Sequence, residues 1–262
     1  MSLTAKTKAS SYKDILIVPN SNSGIDATTR NITSGDGTIS AIGLSDDVLT
    51  VTPQTDDTTA VFKVTDKDSN ALLNVDSSND LVKAGIGQHI VNTQIKGFNL
   101  SSSNSQPTTA DTWSMMAAMG QDRFTTDLQF GTGSTPATTY TVATTAMDLV
   151  QAIWYLPFNI TIDSVNVWFG QDAATGEAVK FSVMSYDIVT APTSSGGDLS
   201  NGAEVCVSPS TVAGFGYEQA YMQNLTISTA DVDAGKVIMA GVSQASTNSD
   251  LTVNMQLVYH LR

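Results

Sequence analysis

Two histidines and one cysteine are the side chains of this sequence with the widest catalytic and metal-binding chemistry. His89 has no carboxylate near it in the sequence, and His260 stands two residues before the C-terminus. Neither has the spacing of a Ser-His-Asp triad or of a zinc site. Cys206 lies in the apolar run Glu204–Val207, which predicts a buried, unreactive thiol. We expect surface or interface roles for the histidines and no catalytic residue.

The acidic residues predict turns rather than a metal site or a catalytic site. Segment Asp66–Asn70 starts as a calcium-binding loop does, with acidic or amide side chains at every second position. Ala71 and Ser77, however, replace the glycine and the glutamate that such a loop needs. A glycosidase holds two carboxylates across a cleft, and no segment here suggests that arrangement. We therefore expect a solvated hairpin turn, no metal, no cofactor and no enzymatic activity.

The composition predicts that the elements around these residues are strands. Charged residues make up only 14% of the chain, against roughly 25% in typical soluble domains. Thr and Ser contribute about a quarter of the residues, and three Glu stand against twenty-two Asp. Thr favours strands, Ser and Asp favour turns, and helix formers are scarce. The expected fold class is all-β.

The charge of the chain excludes two classes of partner. The net charge is −13 and the pI is near 4.2. Nucleic acids and anionic membranes attract clustered Lys and Arg, so neither is an expected partner. No apolar run approaches the roughly 20 residues of a membrane helix, and the N-terminus lacks the apolar stretch of a secretory signal. We expect a protein that is made in the cytoplasm and leaves it by lysis.

Residues 59–85 alternate short apolar pairs with turns rich in Asp, Asn and Ser. The pair Phe62/Val64 recurs eleven residues later as Leu73/Val75. Strands this short are marginal in an isolated hairpin. We expect several copies of the chain to cover one another's apolar faces in an intertwined shaft, built as a parallel homotrimer.

The pattern along the chain predicts four regions. They are a flexible tail over residues 1–12, a β-shaft over 13–98, a linker over 99–123 and a β-sandwich of the jelly-roll kind over 124–262. The first buried strand is expected at Ile15–Val18. Asp111 in the linker would cap one short helix over Thr112–Met119.

The C-terminal region predicts eight strands separated by Gly-, Ser- and Asp-rich turns. Val165, Val167 and Phe169 alternate with small or polar residues, as in a strand with one face in a core. The expected strands are Thr138–Thr144, Val150–Leu156, Ile160–Gly170, Ala178–Tyr186, Ala203–Val207, Tyr221–Ile227, Lys236–Val242 and Leu251–Leu261.

The loops of a sandwich cluster at its two ends, where a rigid scaffold can present contact residues. Candidate receptor contacts in two Gly-rich loops are Phe215, Tyr217, Asp198 and Asn201. Packing into the core explains Phe215 equally well. Several aromatic residues could either stack on sugars or pack in the core. They are Trp154, Tyr155, Trp168, Tyr217 and Tyr221.

Residues 34–87 carry a resemblance to a known family. The turn Gly35–Thr38, the pair Leu44-Ser45 and the hairpin Phe62–Asp76 are similar to N-terminal modules of tail-fibre and other appendage proteins of tailed bacteriophages, especially marine ones. The hairpin motif there is F-x-V-x-D-x-x-G-N-x-L-L-x-V-D. Ser69 replaces its glycine, and we expect Asn70 to take the left-handed turn conformation instead. The resemblance covers about residues 12–98.

The resemblance implies a homotrimer on a virion, attached by its N-terminus with a C-terminal head pointing outward. Implied partners are other copies of the chain, proteins of the tail or capsid, and a glycan or protein of the host surface. The implied location is the virion, assembled in the host cytoplasm and extracellular after lysis. Candidate virion-anchoring residues in the polar tail are Ser2, Leu3, Lys6, Lys8 and Tyr12.

Two alternatives to a tail fibre stay open at this point. The first is a capsid decoration or head-fibre protein. The second is a spike that degrades surface polysaccharide, although the chain has no long block of β-helical repeats.

Overall fold

The computed structural model describes residues 16–21, 23–101, 109–118, 128–142, 146–171, 178–208, 219–245 and 251–262. The chain divides into two compact units, Met1–Val91 and Asn92–Arg262, which we call unit 1 and unit 2. Strands dominate both units, and the described residues include one short helix. The predicted all-β class is therefore confirmed.

The boundary between the units falls earlier than the sequence predicted. Residues up to 98 were assigned to the shaft, but the strand Thr93–Ser101 belongs to the sheet of unit 2. Its apolar side chains Phe98 and Leu100 lie buried in that unit's core. This strand and its partner are far apart in the sequence, so local composition did not reveal the pairing.

Unit 1 contains two small antiparallel sheets. The first is formed by β1 (Arg30–Thr33), β2 (Ile39–Leu44) and β3 (Leu49–Val51). The second is formed by β4 (Phe62–Thr65), β5 (Ala71–Asp76), β6 (Leu81–Ala84) and β7 (His89–Ile90).

The β4–β5 turn is organised by Asp66. Its carboxylate accepts hydrogen bonds from the backbone amides of Asp68 and Asn70 and from the Asn70 side chain, each at 2.9 Å. These bonds occupy the carboxylate within the turn, as expected for a hairpin. The left-handed residue is Ser69, with φ of 66°, and not Asn70 as predicted. Ser69 thus adopts a conformation that glycine takes without steric cost.

Unit 1 has no apolar core among its described residues. Its buried residues there are Thr33, Gly43, Ser45 and Asp76, none with a large apolar side chain. The predicted buried strand at Ile15–Val18 is also wrong where it is described, because Leu16 is exposed and Ile17 makes only an isolated bridge to Thr33. The part of unit 1 that the structure describes therefore contains no second layer that would bury the apolar side chains of its sheets.

Unit 2 is built around one ten-stranded antiparallel sheet and one helix, α1 (Ala146–Ala152). The strands are β8 (Thr93–Ser101), β9 (Trp113–Met115), β10 (Trp154–Tyr155), β11 (Ile160–Gln171), β12 (Val179–Ile188), β13 (Leu199–Val207), β14 (Gln219–Ile227), β15 (Asp231–Val232), β16 (Lys236–Gln244) and β17 (Leu251–Leu261). Their main order is β10-β16-β12-β13-β14-β11-β17-β8, with β9 on β16 and β15 on β11.

This sheet curls so that its two halves face each other. The halves join where β13 and β14 pair over only two residues, Cys206 with Ile227 and Val207 with Thr226. Phe169 on β11 and Phe181 on β12 meet across the fold with ring centroids 4.9 Å apart, although their strands are not paired. A layer of β8, β17, β11 and β14 thus packs on a layer of β13, β12, β16 and β10 around one apolar core.

The second layer is covered on its other face as well. There, residues from β9, α1 and the segment 128–142 form a second apolar cluster, so that most residues of β12 and all but one of β16 are buried. Phe130 stacks on Tyr140 with centroids 4.3 Å apart. The cluster contains Trp113, Met115, Ala117, Leu128, Phe130, Leu149, Ala152, Met184, Tyr186, Leu199, Val237 and Met239.

Three element predictions in unit 2 are wrong in whole or in part. The segment Thr112–Met119, expected to be a helix, contains strand β9 (Trp113–Met115) instead where it is described; β9 pairs with β16, and Asp111 has φ of 54° and caps no helix. An apolar run of this length fits a strand buried on both faces as well as a helix.

The strand expected at Val150–Leu156 is divided: its first three residues belong to α1, whose Leu149 and Ala152 share one buried face, and Trp154–Tyr155 form β10. Of the strand expected at Thr138–Thr144, the described residues 138–142 contain only the isolated bridge from Tyr140 to Leu199.

Replacing Ser69 with Gly should stabilise unit 1 by about 0.5–1 kcal/mol, because Gly adopts positive φ without the steric cost of a side chain. The measurement is the urea midpoint of the full chain. Asp68→Gly is the matched control: φ at Asp68 is not positive, so glycine there should destabilise. Equal effects of the two substitutions on stability would contradict the left-handed conformation assigned to Ser69.

Unit 1 should lose β-structure on acidification. Hydrogen bonds, chiefly from Arg30, lower the pKa of Asp26 from 3.8 to about 2, and those from Asn70 and Asn79 lower the pKa values of Asp66 and Asp76. Each carboxylate therefore stabilises the fold above its ordinary pKa of 3.8 and loses that contribution as the pH falls through its lowered pKa, which for Asp26 is about 2. Circular dichroism should show this loss, and Asp26→Asn should weaken its pH dependence. A circular dichroism signal that shows no loss of β-structure over this pH range would contradict the prediction.

Candidate functional site

One face of the second sheet in unit 1 is apolar and open. Phe62 pairs with Val75 and Val75 with Val82, while Val64 pairs with Leu73 and Leu73 with Ala84. Directly paired residues point to the same side of a sheet, so these side chains form two adjacent rows. Phe62, Val64 and Val82 are 40–41% exposed. We call this surface the β4–β6 apolar face; it consists of Phe62, Val64, Leu73, Val75, Val82 and Ala84.

The opposite face of the same sheet is largely polar. Lys63, Asn74 and Lys83 lie in one row across the three strands. Lys83 donates to the buried carboxylate of Asp76 at 3.2 Å. Asn79 also donates to Asp76, and these bonds hold the pKa of that carboxyl below its usual value. The sheet is therefore amphipathic, with an ordered polar side and an uncovered apolar side.

Asp198, a predicted receptor contact, makes a bond within unit 2. Its Oδ1 accepts a hydrogen bond from the backbone amide of Val142 at 2.8 Å. The neighbouring Leu199 exchanges backbone hydrogen bonds with Tyr140. Asp198 thereby ties the loop that precedes β13 to the segment that covers the second layer.

Asn201, the second predicted contact in this loop region, is exposed and has φ of 50°. Its Nδ2 donates to Asp187 at 2.8 Å, and Lys236 donates to the other oxygen of Asp187 at 2.5 Å. The bond from Lys236, followed by that from Asn201, lowers the pKa of Asp187. The structure therefore gives both Asn201 and Asp198 intramolecular partners, and their receptor role stays a prediction.

The remaining predicted site residues lie outside the described residues. These are the candidate anchors Ser2, Leu3, Lys6, Lys8 and Tyr12 and the candidate contacts Phe215 and Tyr217.

Cys206 and the histidines have different surroundings. Burial raises the pKa of the Cys206 thiol to about 12, so the thiol is protonated at neutral pH. This agrees with the predicted buried cysteine. His260 is buried rather than exposed, with Nδ1 3.0 Å from both carboxylate oxygens of Asp163, whereas His89 is exposed. Within the described ranges, no three His, Cys, Asp or Glu side chains are grouped so that they could hold a metal ion.

The sequence reasoning missed the outer face of the first layer of unit 2. Its residues alternate with the core residues of β8, β17, β11 and β14, and strand pairing aligns them in rows. The rows are Met222, Trp168, Asn254 and Asn99; Asn224, Asn166, Gln256 and Gly97; Ala220, Gly170 and Thr252; and Ser164, Val258 and Ile95. We call this surface the amide face. The alternation in β11 and β17 marks single positions as outward, but only the register between the strands aligns them in rows.

Comparison of the sequence with models of protein families and with curated proteins found no match. No helix in the described part of the chain has the length and apolar character needed to cross a membrane.

Removing the Asp198 side chain should destabilise unit 2 by about 1–3 kcal/mol, because Asp198→Ala leaves the Val142 amide without its acceptor. Thermal unfolding measures the effect. Ser200→Ala is the control, at an exposed neighbouring position, and should change stability by less than about 0.5 kcal/mol. An Asp198→Ala protein as stable as this control would show that the carboxylate is free for an external partner.

Proposed function

We propose that the chain is a structural, non-enzymatic protein of a tailed-phage particle. In this proposal it is a homotrimeric tail fibre, attached by its N-terminus, whose distal β-sandwich contacts the host surface. One observation carries the proposal: the described part of unit 1 folds into two sheets without burying a single large apolar side chain.

The energetics of such a unit favour association with further copies. Ordering the backbone costs roughly 1–2 kcal/mol per residue, and burial of apolar surface is the main term that offsets it. A chain segment whose Phe62, Val64 and Val82 stay 40–41% exposed lacks most of that contribution. Packing the β4–β6 apolar faces of several copies against one another would supply it.

The division into two units supports a fibre rather than a compact oligomer. Unit 2 has its own core between two sheet layers and needs no other copy for it. Unit 1 has apolar faces to share but no core among the residues described. A shaft that assembles and a head that folds independently are the two parts a particle appendage needs.

The number of copies and the link to phage particles rest on the resemblance of residues 34–87 to phage appendage modules. A capsid decoration or head-fibre protein would use the same self-association and is the alternative to a tail fibre. Gold-labelled antibodies against the full chain, applied to purified particles of the source phage and imaged by electron microscopy, test the proposal. Label on the tail supports it, label on the capsid favours the alternative, and unlabelled particles would overturn both.

The full chain should have a solution mass three times its chain mass of 27.5 kDa. Replacing both Phe62 and Val82 with Lys should lower that mass to the monomer value, because two charges on the β4–β6 apolar face cannot be buried against a second copy. Multi-angle light scattering at micromolar concentration measures both.

Leu72→Lys is the matched control for this experiment. Leu72 is 42% exposed, close to the 41% of Val82, but it alternates with Leu73 and so lies on the other face of β5. Its substitution should leave the mass unchanged. A wild-type monomer, or equal dissociation by Leu72→Lys, would contradict the proposed association surface.

A further inference from the structure

The amide face of unit 2 has an unusual composition for an exposed sheet surface. Its two central rows carry four Asn, one Gln, one Trp, one Met and one Gly, and no ionisable residue occurs in the four rows. Exposed sheet surfaces normally carry charged side chains, which keep proteins soluble and prevent association. In a chain of net charge −13, a surface of this kind without charge requires a separate explanation.

Most of the central amides have hydrogen-bonding capacity to spare. Asn254 Nδ2 donates to Asn99 Oδ1 at 2.8 Å, and the Asn254 oxygen and the Asn99 nitrogen take no part in this bond. Asn166, Asn224 and Gln256 form no side-chain hydrogen bond with another residue of the described chain. Each amide offers two donors and one acceptor oxygen in one plane. Paired hydroxyl groups have the complementary combination of donor and acceptor.

An aromatic ring lies next to these amides. Trp168 on β11 is 38% exposed, and it stands between Met222 on β14 and Asn254 on β17 in one row. The face of an indole ring is electron-rich and attracts the polarised C–H groups of a sugar ring. An aromatic ring that can stack on a sugar, with amides in its own row and in the adjacent row, is suited to binding a pyranose.

The surface also has room for an extended ligand. Gly97 continues the row of Asn224, Asn166 and Gln256, and a Cβ atom added there would meet no atom within 4 Å. Neighbouring strands lie about 4.8 Å apart, and neighbouring rows, two residues apart along a strand, are separated by about 6.8 Å. Four strands and four rows therefore span roughly 14 by 20 Å. That area accommodates an oligosaccharide of a few residues.

The charge of the surface selects among ligands. An anionic glycan or a phosphate would need Lys or Arg, and the rows contain neither; the nearest outward ionisable residue of β17 is His260, which is held by Asp163. A second copy of the chain would favour a more apolar surface, because interfaces between identical subunits are about 65% apolar at their core. The β4–β6 apolar face has that character, whereas amide groups dominate the central rows here.

We propose that the amide face binds a neutral carbohydrate, with Trp168 stacking on a sugar ring and Asn166, Gln256 and Asn254 bonding its hydroxyl groups. This names a surface and a ligand class for the host contact and in that respect rests on the proposed function. It places the contact on a sheet face instead of the loops that the sequence suggested.

The test applies the purified full chain to an array of immobilised neutral oligosaccharides (glucans, mannans, galactans and N-acetylhexosamine polymers) beside sulfated and uronic-acid glycans. Wild-type protein should be retained on neutral glycans. Trp168→Ala should weaken that retention roughly tenfold or more. Gly97→Leu should abolish it by filling the open space above the surface, without strain in the fold.

Ala203→Leu is the matched control, since it enlarges a small exposed residue on β13 in the other layer and should bind as wild type does. Melting temperatures of the variants verify that each is folded. Absence of retention on every neutral glycan, retention on anionic glycans alone, or unchanged retention of both variants would overturn the proposal. A change in oligomer mass caused by Gly97→Leu would also overturn it and identify the surface as a contact between copies. Because the array uses purified protein, its outcome is independent of whether antibodies label phage particles.

Discussion

An amphipathic β-sheet is stable in water only when a second layer covers its apolar face, and this requirement separates the two units of the chain. Unit 2 meets it with its own strands, because its ten-stranded sheet curls until Phe169 and Phe181 pack together across the core. The described part of unit 1 has the strands but no covering layer, and its Phe62 and Val82 stay partly exposed. The account of self-association follows from this difference.

The same requirement determines which surfaces of unit 2 are available for contacts. Its second layer is covered twice, once by the first layer and once by the cluster around Trp113 and Tyr186. The first layer is covered only once, so the outward side chains of β11 and β17 remain on the surface. An uncharged array of amides around Trp168 therefore lies on a broad sheet face that the described residues of unit 2 leave open.

Sequence reasoning succeeded where the pattern was local. Strict alternation predicted β11 and β17 almost to the residue, and the scarcity of helix formers predicted the all-β class. It failed where distant pairing decided the outcome: Trp113–Met115 is a strand because β16 pairs with it, and Thr93–Ser101 joins unit 2 because β17 lies beside it. The amide face depends on the register of four strands, which no single segment encodes. The apolar pairs of β4 and β5, by contrast, could be found in the sequence because they recur.

The central claim is that the sheets of unit 1 are stable only in contact with other copies of the chain. Hydrogen–deuterium exchange at a series of protein concentrations tests it most directly, with the amides of β11 and β17 as an internal reference. The account predicts that amide protection in β4, β5 and β6 falls as dilution dissociates the oligomer, while protection in β11 and β17 stays constant. Protection of β4–β6 that persists unchanged in the dissociated monomer would contradict it.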